Sequence, residues 1–297
     1  MKWTGVLPAI TTAFKPDLGV DHDFLIRHSR WMVEQGCSGI VALGSLGEAA
    51  ALRMDEKIEV LRTFVTALRG KAPVVAGISA LSTAEAVHLA QQAARAGCEG
   101  LMILPPYVYS SDWREMKAHI DAALRATPLS CMLYNNPVSY KTDFLPEQIR
   151  ELAEQHANLH AVKESSADVR RITAIRALAG ARLSVLVGVD DLIVEGILAG
   201  ATGWIAGLAN ALPRESVALF RLATDGNMEK AFELYRWFLP LLRMDTVVKF
   251  VQLIKLVQQE AGMGSARVRP PRLELSGLEL ECAKATIAAA LAGRPPL

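Results

Sequence analysis

Lys163 is the residue in this chain best placed to do chemistry. It directly follows His160-Ala161-Val162, so strand backbone would hold it with its amine projecting beyond the end of a sheet. Lysines are rarely buried; where one is, lost hydration disfavours the ammonium and leaves the neutral amine that attacks a carbonyl carbon. On position alone, the same side chain could equally be ion-paired to Glu164 at a rim. Tyr134 ends another apolar run, and Tyr107 follows the Pro105-Pro106 turn. Phenols in such places can pass protons, although a single tyrosine is more often a packed ring with a hydrogen-bonded tip. Gly44-Ser45-Leu46-Gly47 is a glycine-bracketed turn whose backbone amides could cradle a carboxylate or phosphate, with a hydroxyl from Ser45 beside them. Most such turns are only tight connections, and this spacing fits neither the P-loop nor the dinucleotide fingerprint. Together, an amine nucleophile, an anion nest, two phenols and a hydroxyl suit Schiff-base chemistry on a small 2-oxo acid.

Those residues can meet only if the elements carrying them end on one face. Short apolar, β-branched runs at Gly5–Ile10, Gly39–Ala42, Val74–Ala76, Gly100–Leu104, Ser130–Tyr134, Leu159–Lys163, Ser184–Val187 and Gly203–Ile205 alternate with stretches of helical period. Eight such units predict a (β/α)8 TIM barrel, in which the active site lies at the C-terminal strand ends. Asp21, Asp55 and Ser82 or Thr83 are predicted helix N-caps, Ser82 with Glu85 at capping-box spacing, and a helix is expected over Asp168–Ala179. Gly36, Gly97 and Gly180 are predicted stops. Residues 1–224 should form the barrel and residues 225–297 an appended C-terminal helical bundle, packed with it as one structural unit.

Composition limits the partners. Of 297 residues, 51% are hydrophobic, enough for a large core, and 32 Lys plus Arg face 31 Asp plus Glu with no basic run. Nucleic acid and membrane are therefore not expected as partners. No long apolar stretch opens the chain, and the most apolar region is interrupted by Asp190, Asp191 and Glu195, so a soluble cytoplasmic protein is expected. Cys37, Cys98, Cys131 and Cys282 are far apart and read as buried free thiols; the six histidines fall mostly in polar or helical stretches and read as ordinary surface or helix residues. No metal and no cofactor is expected.

Over essentially its whole length the chain resembles the dihydrodipicolinate synthase and N-acetylneuraminate lyase superfamily of class I aldolases. The matching motifs are Gly44-Ser45-Leu46-Gly47-Glu48, Pro106-Tyr107, Tyr134-Asn135-Asn136-Pro137, Val162-Lys163-Glu164 and Gly188-Val189-Asp190-Asp191. The resemblance implies that Lys163 is the Schiff-base lysine, Tyr134 the proton-shuttling phenol and Ser45 the relay hydroxyl. It implies that Tyr107 crosses a dimer interface into a neighbouring subunit, that Ser45 and Leu46 hold the substrate carboxylate, and that Gly188 and Ile205 line the pocket. A homotetramer of two tight dimers, acting on a small 2-oxo acid without a cofactor, is implied as well. The chain departs from true dihydrodipicolinate synthases: Leu46 stands where they carry a second threonine, Ser139 where an arginine binds the aldehyde partner's carboxylate, and Pro106 where a tyrosine often helps to bind feedback lysine. Loss of a bidentate clamp is a large chemical change. The resemblance therefore points to catabolic branches, such as 2-keto-3-deoxy sugar-acid aldolases and dehydratases, ahead of 4-hydroxy-tetrahydrodipicolinate synthase. The 1-pyrroline-4-hydroxy-2-carboxylate deaminase of hydroxyproline breakdown is an alternative among them.

Two readings from other classes compete. A catalytically silent barrel that binds 2-oxo acids would lose the reaction but keep the pocket. A phosphate-binding barrel would use Gly203-Trp204-Ile205-Ala206-Gly207, although Trp204 is bulky for that task and no Arg or Lys lies nearby.

Overall fold

Parallel strands covered by helices are buried on both faces, which is why they read as short uninterrupted apolar runs. The computed structural model, which describes residues 1–106 and 112–296, turns those runs into β1 (Gly5–Pro8), β2 (Ile40–Ala42), β3 (Val74–Ile78), β4 (Gly100–Ile103), β5 (Ser130–Asn135), β6 (Leu159–Glu164), β7 (Ser184–Val187) and β8 (Gly203–Ala206). All eight are parallel in the order β1-β8-β7-β6-β5-β4-β3-β2. A parallel bridge from Ala9 to Val41 and a 2.9 Å bond from Ile10 N to Val41 O bring β1 back to β2 and close the barrel.

The helices are α1 (His22–Glu34), α2 (Met54–Leu68), α3 (Thr83–Ala96), α4 (Trp113–Arg125), the one-turn α5 (Pro137–Tyr140), α6 (Pro146–Gln155), α7 (Arg170–Ala179), α8 (Ile193–Leu198), α9 (Pro213–Thr224), α10 (Met228–Leu242), α11 (Phe250–Glu260) and α12 (Gly277–Ala292). Asp21 caps α1 by accepting from Phe24 N at 3.0 Å, and Ser82 caps α3 by accepting from Glu85 N at 3.2 Å. Two predicted starts move. The N-cap of α2 is Arg53, whose N–H meets Glu56 Oε2 at 2.9 Å; Asp55 lies inside the first turn, where the helix dipole also favours a carboxylate. Helix α7 begins at Arg170, because Asp168 spends its side chain on the Arg170 N–H at 3.1 Å. Gly36, Gly97 and Gly180 follow the ends of α1, α3 and α7, all at positive φ.

Two expectations about single residue types need correction. Cys37, Cys98 and Cys131 are buried, and burial pushes each thiol up to about 12, but Cys282 is exposed. Helix α12 sends Ala283, Ile287 and Ala290 into the core, and Cys282 sits beside that stripe on the solvent face. Three histidines are core residues: His28 meets Asn210 O at 2.7 Å, His119 meets Thr83 Oγ1 at 3.0 Å and His156 meets Asp121 Oδ1 at 2.6 Å. Burial lowers His28 to about 4, so it is a neutral packed ring. His156 and His160 stand four positions apart, a ligand spacing on a helix, but α6 has already ended at Gln155 and His160 lies on β6, bonded to Ser130 Oγ at 2.8 Å. No described helix is long and apolar enough to cross a membrane.

Candidate active site

Lys163 and Glu164 are adjacent on β6 and therefore face opposite sides of the sheet. Glu164 turns outward, where its carboxylate accepts from Asn135 Nδ2 at 3.1 Å and Ser166 N at 2.7 Å. The rim ion pair with Lys163 is absent for that geometric reason. Lys163 turns into the barrel mouth; it is 6% exposed, and its Nζ lies 4.0 Å from the centre of the Tyr134 ring. Desolvation lowers its pKa to about 8, against the opposing pull of Asp245 and Asp190. The ring face favours the ammonium by about 2 kcal/mol at a desolvated site, yet the net shift is downward, so burial prevails.

Tyr134 is the register neighbour of Lys163 on β5, so the two meet because the strands pair there. Burial pushes the phenol up to about 12, which keeps it protonated, and Asn136 Nδ2 donates to its oxygen at 2.9 Å. Asn136 also caps the short α5 by accepting from Ser139 N at 3.0 Å, so one side chain fixes both the phenol and the turn beyond it.

The 44–47 turn crosses the mouth from β2. Its internal bonds run from Glu48 N to Ser45 O and from Ala49 N to Gly44 O, which use amides other than those of Ser45 and Leu46. Thr12 Oγ1 anchors the turn by donating to Gly47 O at 2.7 Å. Ser45 Oγ is hydrogen-bonded to the hydroxyl of Tyr140, whose ring packs edge-on against Tyr134 with centroids 5.8 Å apart. Tyr107, the tyrosine expected in this relay, lies outside the described residues.

Glu48 secures the turn from below. It is buried in the left-handed region at φ 53°, ion-paired to the buried Lys255 of α11, and its second oxygen accepts from Arg269 N at 3.0 Å. Lys255 also donates to Arg267 O at 2.8 Å and lies over Phe14. Breaking such a buried pair leaves an uncompensated charge, so Glu48→Leu should cost about 3–5 kcal/mol in chemical denaturation. Adding Lys255→Met should recover much of that loss. Equal stability of wild type and Glu48→Leu would show that the pair does not hold the turn.

A cavity of about 420 Å³ connects these parts, within the usual size of small-molecule sites. Of the expected residues, Lys163, Tyr134, Ser45, Leu46, Gly188, Ile205 and Ser139 all line it. Gly188 is a requirement of space: a Cβ there would come within 2.6 Å of Lys163 Cε and 2.0 Å of Ser165 Oγ. The Gly207 amide, in the stretch read for phosphate binding, instead donates to the Asp190 carboxylate at 3.0 Å, as do Leu208 N at 2.8 Å and Trp204 Nε1 at 2.9 Å. That nest is already filled, which removes the phosphate reading. Asp190 is raised to about 6 by burial.

Sequence reasoning missed three contributors. Tyr140, three residues beyond the Tyr134-Asn135-Asn136-Pro137 motif, was assigned no role. Ser165 Oγ is buried at the cavity wall without a hydrogen bond of ordinary length. Asp245 comes from the short turn Arg243–Asp245 between α10 and α11, and with Thr246, Val247, Val248 and Phe250 it brings the region after residue 224 into the cavity wall. Nothing in its local sequence marks it.

Residues 2–290 match the Dihydrodipicolinate synthetase family. The chain is 32% identical over 273 residues to a 4-hydroxy-tetrahydrodipicolinate synthase of Methanothrix thermoacetophila, covering 92% of each chain. It is 28% identical over 279 residues to the synthase of that name from Desulforamulus reducens, covering 94% of each. Among solved structures, a prophage protein of the family from E. coli K12, in complex with pyruvate, superimposes with a TM-score of 0.91 at 26% identity, covering 97% of this chain and 98% of that one. A putative dihydrodipicolinate synthetase from Pseudomonas aeruginosa gives a TM-score of 0.92 at 29% identity, covering 98% and 100%. The chain belongs to the dihydrodipicolinate synthetase family and is an enzyme of its class I, aldolase-type chemistry.

Proposed function

We propose that the protein is a catabolic lyase that forms a Schiff base between Lys163 and the keto carbon of pyruvate or a small 2-oxo acid. The observation that carries this reading is the Lys163 amine, sequestered at the cavity floor and lowered to about 8. At pH 7 roughly one such amine in ten is neutral, against roughly one in 3,000 for a lysine at its ordinary value, a gain of about 300-fold in nucleophile. Nζ attacks C2, the keto oxygen leaves as water, and the resulting iminium draws electrons from the bond that breaks, through an enamine. Tyr134 hands protons to and from the bound carbon, with the hydroxyl pair of Ser45 and Tyr140 extending the route, and the amides of Ser45 and Leu46 hold the substrate carboxylate. The family resemblance extends the proposal to a cytoplasmic homotetramer of two dimers, with Tyr107 crossing between subunits.

The relatives' names favour a second reading, 4-hydroxy-tetrahydrodipicolinate synthase. Against it, Ser139 stands where the resemblance places an arginine, and Lys163 is the sole cationic side chain among the described residues that line the cavity. Incubation with pyruvate and borohydride, followed by peptide mapping, should place a reduced adduct on Lys163. The initial trapping rate should rise with pH and reach half its plateau near pH 8. A midpoint above pH 10, or an adduct confined to other lysines, would overturn the proposal.

A further inference from the structure

We propose that Asp245 sets the substrate class of this site: it accepts a hydrogen bond from a hydroxyl at the far end of the 2-oxo acid and rejects a second carboxylate there. The inference rests on the Schiff-base reading above and names what lies beyond the keto carbon.

Asp245 enters the cavity from the turn between α10 and α11 and lies against the backbone of β8: a Cβ on Gly207 would come within 2.4 Å of its Oδ1. The same point is 3.2 Å from Asp190 Oδ2, so two carboxylates share this corner. They are not equivalent. Asp190 is fully buried and saturated by the amides of Gly207 and Leu208 and the Trp204 indole, whereas Asp245 is half-buried at the cavity wall. It faces the same space as Lys163 and carries the largest charge effect on that amine. Burial, and then the neighbouring Asp190, raises Asp245 above the ordinary carboxylate range, and the Lys163 cation opposes that rise; once Lys163 is an iminium bound to a substrate carboxylate, the charge shared at this corner has lost part of its counter-charge. A further anion would be repelled there, and no described lining residue other than Lys163 supplies a cation to offset it.

An independent observation points the same way. The hydroxyl of Ser165, 2% exposed, lines the same cavity, makes no hydrogen bond of ordinary length and has only the Tyr134 hydroxyl as a more distant polar neighbour. Buried polar groups normally are satisfied, and an orphan in a cavity is satisfied by what enters it. With Asn136, Ser139 and Thr246 on the wall, the lining offers a carboxylate, hydroxyls and an amide. That set matches a hydroxylated chain and lacks the forked cation that a carboxylate would use.

The test compares two acids of equal length, 2-oxo-5-hydroxypentanoate and 2-oxoglutarate, which differ in a terminal hydroxymethyl group against a carboxylate. Borohydride trapping on Lys163 gives the half-saturating concentration for each, independent of any later bond cleavage. The wild type should prefer the hydroxyl compound by about tenfold or more, the size of one charge-assisted hydrogen bond. Asp245→Ala should bring the ratio near one, with Asp245→Asn in between. If Asp245 served only as a counter-ion to Lys163, its loss would shift trapping of both acids together and leave their ratio unchanged; that outcome overturns the proposal. A wild type with no preference overturns it too. Pyruvate, which has no distal group, separates the two levels: a wild type that fails to trap pyruvate defeats the Schiff-base reading itself.

Discussion

Lys163→Arg and Lys163→Met should both abolish borohydride-trapped adducts and lower turnover by roughly 10⁴-fold or more, as loss of a covalent nucleophile does. The pair separates two explanations that a single alanine variant would confound. Arginine keeps a cation in the cavity near Asp190 and Asp245 but cannot surrender its proton, so electrostatics survive while nucleophilicity is lost. Methionine keeps the apolar stem against the Tyr134 ring and the Gly188 backbone, so packing survives while charge is lost. Gly188 leaves so little room around the stem that arginine will strain the wall; circular dichroism and a melting curve establish that each variant folds. If Lys163→Arg retained turnover within tenfold of wild type, the amine would be acting as a fixed positive charge, and a noncovalent mechanism would replace the imine.

The barrel was legible because its eight strands are buried on both faces, so each appears as a short apolar run whatever its neighbours do. The ends shifted by one or two residues where pairing, not composition, decides. β6 runs on to Glu164 because Glu164 pairs with both Asn135 and Val187, and β1 stops at Pro8 because Ala9 makes only a single bridge to Val41. Lys163 stood out because a charged residue that ends such a run is costly unless it is used. Asp245 gave no comparable signal: it follows the apolar α10, and only the path of the chain across the mouth brings it to a lysine on β6. The Glu48 and Lys255 pair, 207 residues apart, was equally hidden, since its meaning comes from closure of the fold. Tyr140 was in view but silent, because the bond to Ser45 depends on the direction of the one-turn α5, which Asn136 sets by capping it.

Tyr134→Phe should leave the lysine adduct intact and lower turnover by roughly 10²–10⁴-fold, the usual contribution of a positioned proton donor or acceptor. The substitution removes only an oxygen. The ring remains against Lys163 Nζ, so the amine keeps its burial, and pyruvate should still be trapped on Lys163 with a midpoint near pH 8. The lost hydroxyl accepts a bond from Asn136 Nδ2, which is half-buried and can turn to water, so the cost in stability should be about 1 kcal/mol. Because burial holds the phenol near 12, it works at neutral pH as a donor that must be recharged, and the Ser45 and Tyr140 hydroxyls are the groups nearby that could recharge it. Ser45→Ala should therefore depress turnover in the same direction as Tyr134→Phe, and the double variant should fall little below Tyr134→Phe alone, since groups in one relay are not additive. Losses that multiply would place the two hydroxyls on separate steps, and full turnover by Tyr134→Phe would remove the phenol from the chemistry.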